Sequence, residues 1–223
     1  MPKVTTELIR KLRELSGAGM MDCKNALEEA DGDVEKAYTI LREKGIAKAA
    51  KRAGRSTGQG VVEAYLHRTT PDFPPQVGVL VEVDCETDFV AKGEDFRKLA
   101  KELALQIAAA TPRWLSREDI PDQTLMEERA LYERKAEQDG KPKQALPKIV
   151  DGQVEKFIQE NVLMEQPYFR DPKRVIKDVI AENISKLQEN IVVRRFARFN
   201  VREADEESTD GDQGLAATAA GRS

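Results

Sequence analysis

Leu8, Ile9, Leu12 and Leu15 recur on one face of a 3.6-residue period, which predicts a helix over 5–15. Ser16-Gly17-Ala18-Gly19 breaks that pattern. Cys23, Ala26, Leu27 and Ala30 line a second helix over 22–30, and Asp31-Gly32-Asp33 supplies a turn and an N-cap. Val34, Ala37, Tyr38 and Leu41 line a third, which the pattern stops at Gly45. Helices this short are unstable singly, so the three must bury their stripes against one another. A small helical bundle is therefore predicted over 1–45.

Beyond it the period changes. Residues 61–67 and 77–84 alternate as strands around the Pro-rich stretch TTPDFPPQ, which predicts a hairpin with a long loop. Val79, Val81, Val83 and Cys85 fall on one face of the second strand. A helix over 94–110 carries Phe96, Leu99, Leu103, Ile107 and Ala110 on one stripe. A further patterned stretch covers 124–138, GKPKQALP interrupts, and 154–164 is helical again with Val154, Phe157, Ile158 and Val162 on one face. Asp171-Pro172 has the form of an N-cap followed by proline at the first helical position. The helix it opens presents Val175, Ile176, Val179, Ile180, Ile184 and Leu187. Residues 191–201 close the unit as a strand, with Ile191, Val193, Ala197, Phe199 and Val201 inward and a basic outer face. Three strands amid more helix give an α+β class, in which helices cover one face of a small, mostly antiparallel sheet. The division that follows is a bundle at 1–45, a basic and Gly-rich linker at 46–60, a core at 61–202 and a disordered acidic tail at 203–223.

Charge sharpens this division. The chain of 223 residues carries a net charge of -4. The tail holds six acids and one Arg, so the first 202 residues sum to +1. That balance is too even for a protein living on phosphate attraction. Aromatics are 5%, too sparse for a base-stacking platform. There is one histidine, His67, which excludes catalysis by a His pair and His-rich metal sites. Two cysteines, Cys23 and Cys85, are too few for a disulfide scaffold, and both sit in apolar patterns that suit buried thiols in a reducing compartment. No apolar run reaches membrane-spanning length, and the N-terminus lacks an apolar signal core, so a soluble cytoplasmic protein is expected. Neither GxxxxGK[ST] nor GxGxxG occurs, so no nucleotide binding by the chain itself, and no cofactor, is expected.

Four stretches carry candidate chemistry. Arg42–Arg55 holds six bases and one acid: an RNA or acidic-partner contact, or a solvated helix tail and tether, which the lack of interleaved aromatics favours. Met20 and Met21 stand between glycines and a helix start. Neighbours there diverge by about 100 degrees, so only one can staple into the bundle, and an exposed Met offers another protein an adaptable contact. Glu82, Asp84, Glu86 and Asp88 alternate along one strand face, about 6.6–7 Å apart, a spacing that would suit an acid/base pair. Sugar-stacking aromatics and a helper histidine are lacking, so a solvated strand face is the simpler reading. After them come Thr87-Asp88-Phe89-Val90, where Phe89 either caps the core or protrudes as an anchor for a partner pocket. The pattern leaves both open.

The stretches SGAGMMDCKNAL at 16–27 and CETDFVA at 85–91 resemble the two signatures of the elongation factor Ts family. ENIVVRRF at 189–196 is similar to that family's last core strand. The resemblance runs from Val4 to about Val201 in the expected order and leaves the tail aside. It implies a ubiquitin-associated-like (UBA-like) three-helix domain joined to a core domain. It implies a guanine-nucleotide exchange factor, not an enzyme, whose partner is the translation GTPase elongation factor Tu. Thr87, Asp88, Phe89 and Val90 would then enter the GTPase domain and disturb its Mg²⁺ and phosphate site, with Arg13, Met20 and Met21 as further contacts. The chain has room for one core half, like the short, Thermus-like form, which implies a homodimer. No membrane and no specific nucleic acid are expected as partners.

Overall fold

The computed structural model describes residues 4–201. The tail expected at 203–223, and Arg202 at the end of the expected core, lie outside the described residues. The fold is α+β, with eight α-helices and five strands among the described residues.

The bundle consists of α1 (Thr6–Ser16), α2 (Met20–Glu29) and α3 (Val34–Ala50). Thr5 caps α1 by accepting from the Leu8 amide, and Asp33 caps α3 by accepting from Glu35 and Lys36. Gly17 closes α1 in the left-handed region at φ 65°, a conformation glycine adopts without strain. Leu12, Cys23, Ala26, Leu27, Ala30 and Ala37 form the buried centre, with Leu8, Ile9, Val34, Tyr38 and Leu41 packed against it. Leu15, expected inward, is exposed.

The third helix does not stop at Gly45. It runs to Ala50, because Gly45 is buried where α3 crosses α8 (Ile176–Leu187) and lies beside Ser185. A Cβ at this position would meet Ser185 at 3.6 Å, an ordinary contact, so the crossing does not demand a glycine. Ala49, one turn further on, joins the main core. Five of the six cations of the basic run have partners in the bundle, along this seam or at the end of β2. Arg42 pairs with Asp178 at 3.5 Å, Lys44 with Glu29 at 2.5 Å, Lys48 with Asp22 at 3.0 Å and Arg55 with Glu86 at 3.4 Å. Arg52 donates to Gln188 at 2.5 Å.

The main sheet has the order β1-β2-β5, all antiparallel, from β1 (Gln59–His67), β2 (Val77–Cys85) and β5 (Ile191–Asn200). The expected hairpin across the Pro-rich loop is β1–β2. Gly60 in β1 has no room for a side chain: a Cβ there would sit 2.4 Å from the Val83 carbonyl oxygen. Val79, Val81, Val83 and Cys85 are buried under α5 (Glu94–Ala110), whose Phe96, Leu99, Leu103 and Ile107 complete the core with Ile176, Val179, Ile180 and Ile184 of α8. Among the described residues no helix covers the sheet's other face, where Val62, Leu66, Leu80 and Phe199 are exposed.

In β5 the expected alternation holds only at the start. Glu82 pairs with Arg195 but Val83 pairs with Val193, so Arg194 is an extra residue on β5. After this bulge the faces exchange. Phe196 packs against the core, while Ala197 and Phe199, expected inward, are exposed.

Asp171-Pro172 does not start a helix. It opens β4 (Asp171–Val175), which pairs with the short β3 (Pro167–Tyr168), and α8 begins at Ile176. Asp171 spends its side chain on Arg174 at 2.9 Å and the Lys173 amide at 3.3 Å, and proline is tolerated on a two-stranded edge. Helix α6 (Asp122–Gln138) and α7 (Leu146–Asn161) form an antiparallel hairpin over a separate small cluster of Ile120, Phe157, Ile158 and Val162.

Candidate functional site

Strand β2 delivers the chain to the edge of the core at Cys85, and the next seven residues make a tight, exposed corner. Thr87 is the N-cap of α4 (Asp88–Lys92), and its Oγ1 accepts from the Val90 amide at 3.4 Å. This five-residue helix divides the pair of apolar residues between two environments. Val90 is half-buried and packs on the main core. Phe89 is 84% exposed, which removes the core-capping alternative. Asp88 accepts from Lys92 one turn on at 2.6 Å, and that hydrogen bond holds its carboxyl below its ordinary value.

The corner is fastened from behind. Glu189 follows α8 and receives three donors: the Glu86 and Thr87 amides at 3.1 Å each, and the Thr87 hydroxyl at 2.6 Å. Glu86 returns the grip by accepting from the Asn190 amide at 2.6 Å. Asn190 is buried, and its side-chain amide donates to the backbone carbonyls of Arg55 at 2.8 Å and Ala53 at 3.4 Å. The Cys85 thiol donates to the Thr87 carbonyl at 3.2 Å. Burial, with the Glu189 charge second, pushes that thiol up to about 11, so it remains a donor at neutral pH.

The other sequence-derived contact residues sit on the bundle. Met20 and Met21 open α2 and are 53% and 65% exposed, so neither staples the helix start. Arg13 is exposed in the last turn of α1. These three residues share the α1–α2 unit, apart from Thr87–Val90, and α8 with the turn after it reaches both units. Its Lys186 passes close to Gly17 and bonds Asp95 in the first turn of α5 at 2.6 Å. Three residues later Glu189 fastens Thr87.

A profile of the family described as Elongation factor TS matches residues 5–203. The chain belongs to the elongation factor Ts family. It is 54% identical to elongation factor Ts of Caldanaerobacter subterraneus subsp. tengcongensis over 88% of this chain and 96% of that protein. It is 51% identical to that of Thermoanaerobacter sp. strain X514, over 93% of this chain and 99% of the relative. With that of Frankia alni the identity is 52%, over 92% and 100%. Membership implies a nucleotide exchange factor that serves elongation factor Tu in translation elongation, and not a catalyst of a chemical reaction.

The remaining candidates are engaged in structure rather than poised for chemistry. Glu82 is paired with Arg195 at 2.6 Å and Asp84 with Arg194 at 3.0 Å across the β2–β5 ladder. Among the described residues no three or more of His, Cys, Asp and Glu gather as a metal site. His67 shares a hydrogen bond with the Tyr65 hydroxyl at 3.1 Å. No helix among the described residues is long and apolar enough to cross a membrane. Glu189 and Asn190 were legible only as part of a family-like stretch. Their role at the corner depends on pairing with residues about a hundred positions earlier, a separation no local pattern reports.

Proposed function

We propose that this chain promotes release of GDP from elongation factor Tu by inserting the Thr87–Val90 corner into its GTPase domain. The observation that carries the proposal is Phe89, almost wholly exposed on a corner that the protein itself holds rigid. A large apolar side chain kept in water is an unfavourable arrangement for the free protein and a useful one for a wedge. Its burial in a partner pocket contributes about 1.5–3 kcal/mol. That contribution offsets part of what is lost when Mg²⁺ and phosphate contacts loosen. Asp88, kept ionised by Lys92, brings a carboxylate towards a site already dense in negative charge. Exchange of this kind is reciprocal coupling: whatever factor the protein takes from nucleotide affinity, nucleotide takes from affinity for the protein. GTP loads because the cell supplies it. Arg13, Met20 and Met21 add a second contact from the bundle, which we assign to the UBA-like type, with 61–202 as the core and 46–60 connecting them. The test is release of fluorescent GDP from the cognate GTPase with and without this protein. No acceleration at saturating protein would refute the proposal.

The working unit we assign is a cytoplasmic homodimer. Support comes from the uncovered sheet face, where Val62, Leu66, Leu80 and Phe199 are exposed together on three neighbouring strands. Isolated apolar residues on a surface are ordinary, but a row across a sheet is best covered by its own two-fold copy. Sedimentation at micromolar concentration separates a dimer from a 25.0 kDa single chain, and the single chain alone would count against it.

A further inference from the structure

We propose that Glu189 is a positioning residue for exchange: it fixes the Thr87–Val90 corner in the shape that presents Phe89 before any partner arrives. The inference rests on the reading of that corner as the part that enters the GTPase.

Helix α4 is five residues long, far too short to hold itself together in water. Its shape has to be imposed by its surroundings. The inner side is imposed by packing, since Val90 and Ala91 sit on the main core. The exposed side has no such support, and there the polar contacts decide. All three donors at the base of the corner converge on one carboxylate: the Glu86 amide, the Thr87 amide and the Thr87 hydroxyl. The hydroxyl matters most. Because it donates its proton to Glu189, its lone pairs are turned towards the Val90 amide, which is the cap that starts α4. Glu189 therefore orients the residue that orients the helix that carries Phe89.

A purely structural task does not account for this arrangement. The ends of β2 and β5 are already joined by the Cys85–Ile191 pair and by the bond from the Asn190 amide to Glu86. The three bonds to Glu189 add nothing to that ladder and act only on the corner. Glu189 is itself well fixed. Gln188 before it caps α8 in the left-handed region at φ 64°, and Asn190 after it is buried and anchored to the backbone beyond α3.

If the corner is ordered in advance, the partner meets a ready wedge. If it is not, only the fraction of molecules with the corner formed can bind, and the apparent affinity falls by that fraction. Glu189→Gln in the full chain replaces one acceptor oxygen with a donor that opposes the amides. We expect the concentration for half-maximal GDP release from elongation factor Tu to rise about ten-fold, with the maximal rate within about two-fold of wild type. Amide hydrogen exchange of Glu86, Thr87 and Val90 should quicken, while the amides of core helix α5 stay protected. Phe89→Ala should do the opposite and lower the maximal rate, and Glu189→Gln added to Phe89→Ala should shift half-saturation much less than it does alone.

Unchanged half-saturation with unchanged amide exchange in Glu189→Gln overturns the proposal. So does loosening that spreads equally into α5, since Glu189 would then be a general brace. The amide measurement is made in the cold on folded protein, so a lowered melting point does not obscure it. If Phe89→Ala leaves exchange intact, the wedge reading fails and takes this one with it. If Phe89→Ala slows exchange and Glu189→Gln changes nothing, Glu189 alone is excluded.

Discussion

Replacing Phe89 with alanine separates a wedge from a core residue, because the two roles predict opposite patterns. Phe89 is 84% exposed, so about a sixth of its surface touches the protein. Full burial of a Phe side chain is worth about 1.5–3 kcal/mol, and a sixth of that is about 0.3–0.5 kcal/mol. For a chain of this size that lowers the melting temperature by about 1–2 °C. Docking would bury the rest of the ring, about 1.3–2.5 kcal/mol, which corresponds to about a ten- to seventy-fold loss in exchange efficiency. A core Phe truncated to Ala costs about 3–5 kcal/mol instead. The assay is a pair: thermal melting of the free variant, and the rate of fluorescent GDP release from elongation factor Tu across a range of variant concentration. If the variant melts ten degrees low and still reaches the wild-type exchange rate, the burial argument is wrong and Phe89 serves packing. If it neither melts low nor exchanges more slowly, the ring has no partner pocket and the proposed function loses its main support.

Gly45→Ala should raise stability by about 0.5–1 kcal/mol through helix propensity, since its Cβ would meet Ser185 at an ordinary 3.6 Å; a melting temperature that falls would show the α3–α8 seam is tighter than its geometry. Gly60→Ala should cost about 1–3 kcal/mol, because its Cβ would press on the backbone of β2, and chemical denaturation measures it. Cys85 sets an alkaline limit. Its folded thiol titrates near 11 against an ordinary 9.0, so the unfolded chain ionises first. Stability that is complete below about pH 9 is lost as pH climbs towards about 11. Melting curves from pH 8 to 10.5 should therefore fall less steeply for Cys85→Ala than for wild type.

The elements that showed most clearly in the sequence are those whose partner lies nearby. The stripes of α2 and α5 and the alternation of β2 are local periodicities, and each buries the face its spacing indicates, as does α1 up to Leu12. The failures share a different cause. Gly45 reads as a helix end until α8 is placed against it, where it is a buried position in the middle of a helix held by packing. Asp171-Pro172 carries a helix-start signature, but Asp171 spends its side chain on Arg174 and Lys173, and β3 recruits the segment. The alternation of β5 is genuine in two halves and misleading as a whole, because nothing local marks Arg194 as the extra residue. The site followed the same rule. Within Thr87-Asp88-Phe89-Val90, the last two stood out as large apolar residues just past the end of a strand. The direction of Phe89 needed the corner's geometry, and Glu189 needed a contact a hundred positions away.

The bulge in β5 has a genetic consequence. Loss of the Arg194 codon would take out the residue left over in the ladder and leave both halves of the strand on their present faces, with Ile191, Val193 and Phe196 inward and Ala197 and Phe199 outward. In a regular ladder such as β1–β2, loss of one codon turns every later residue over. The extra residue of β5 is therefore slack: a single in-frame deletion beside it can be taken up by drawing the bulge straight, a length change that β1 cannot absorb.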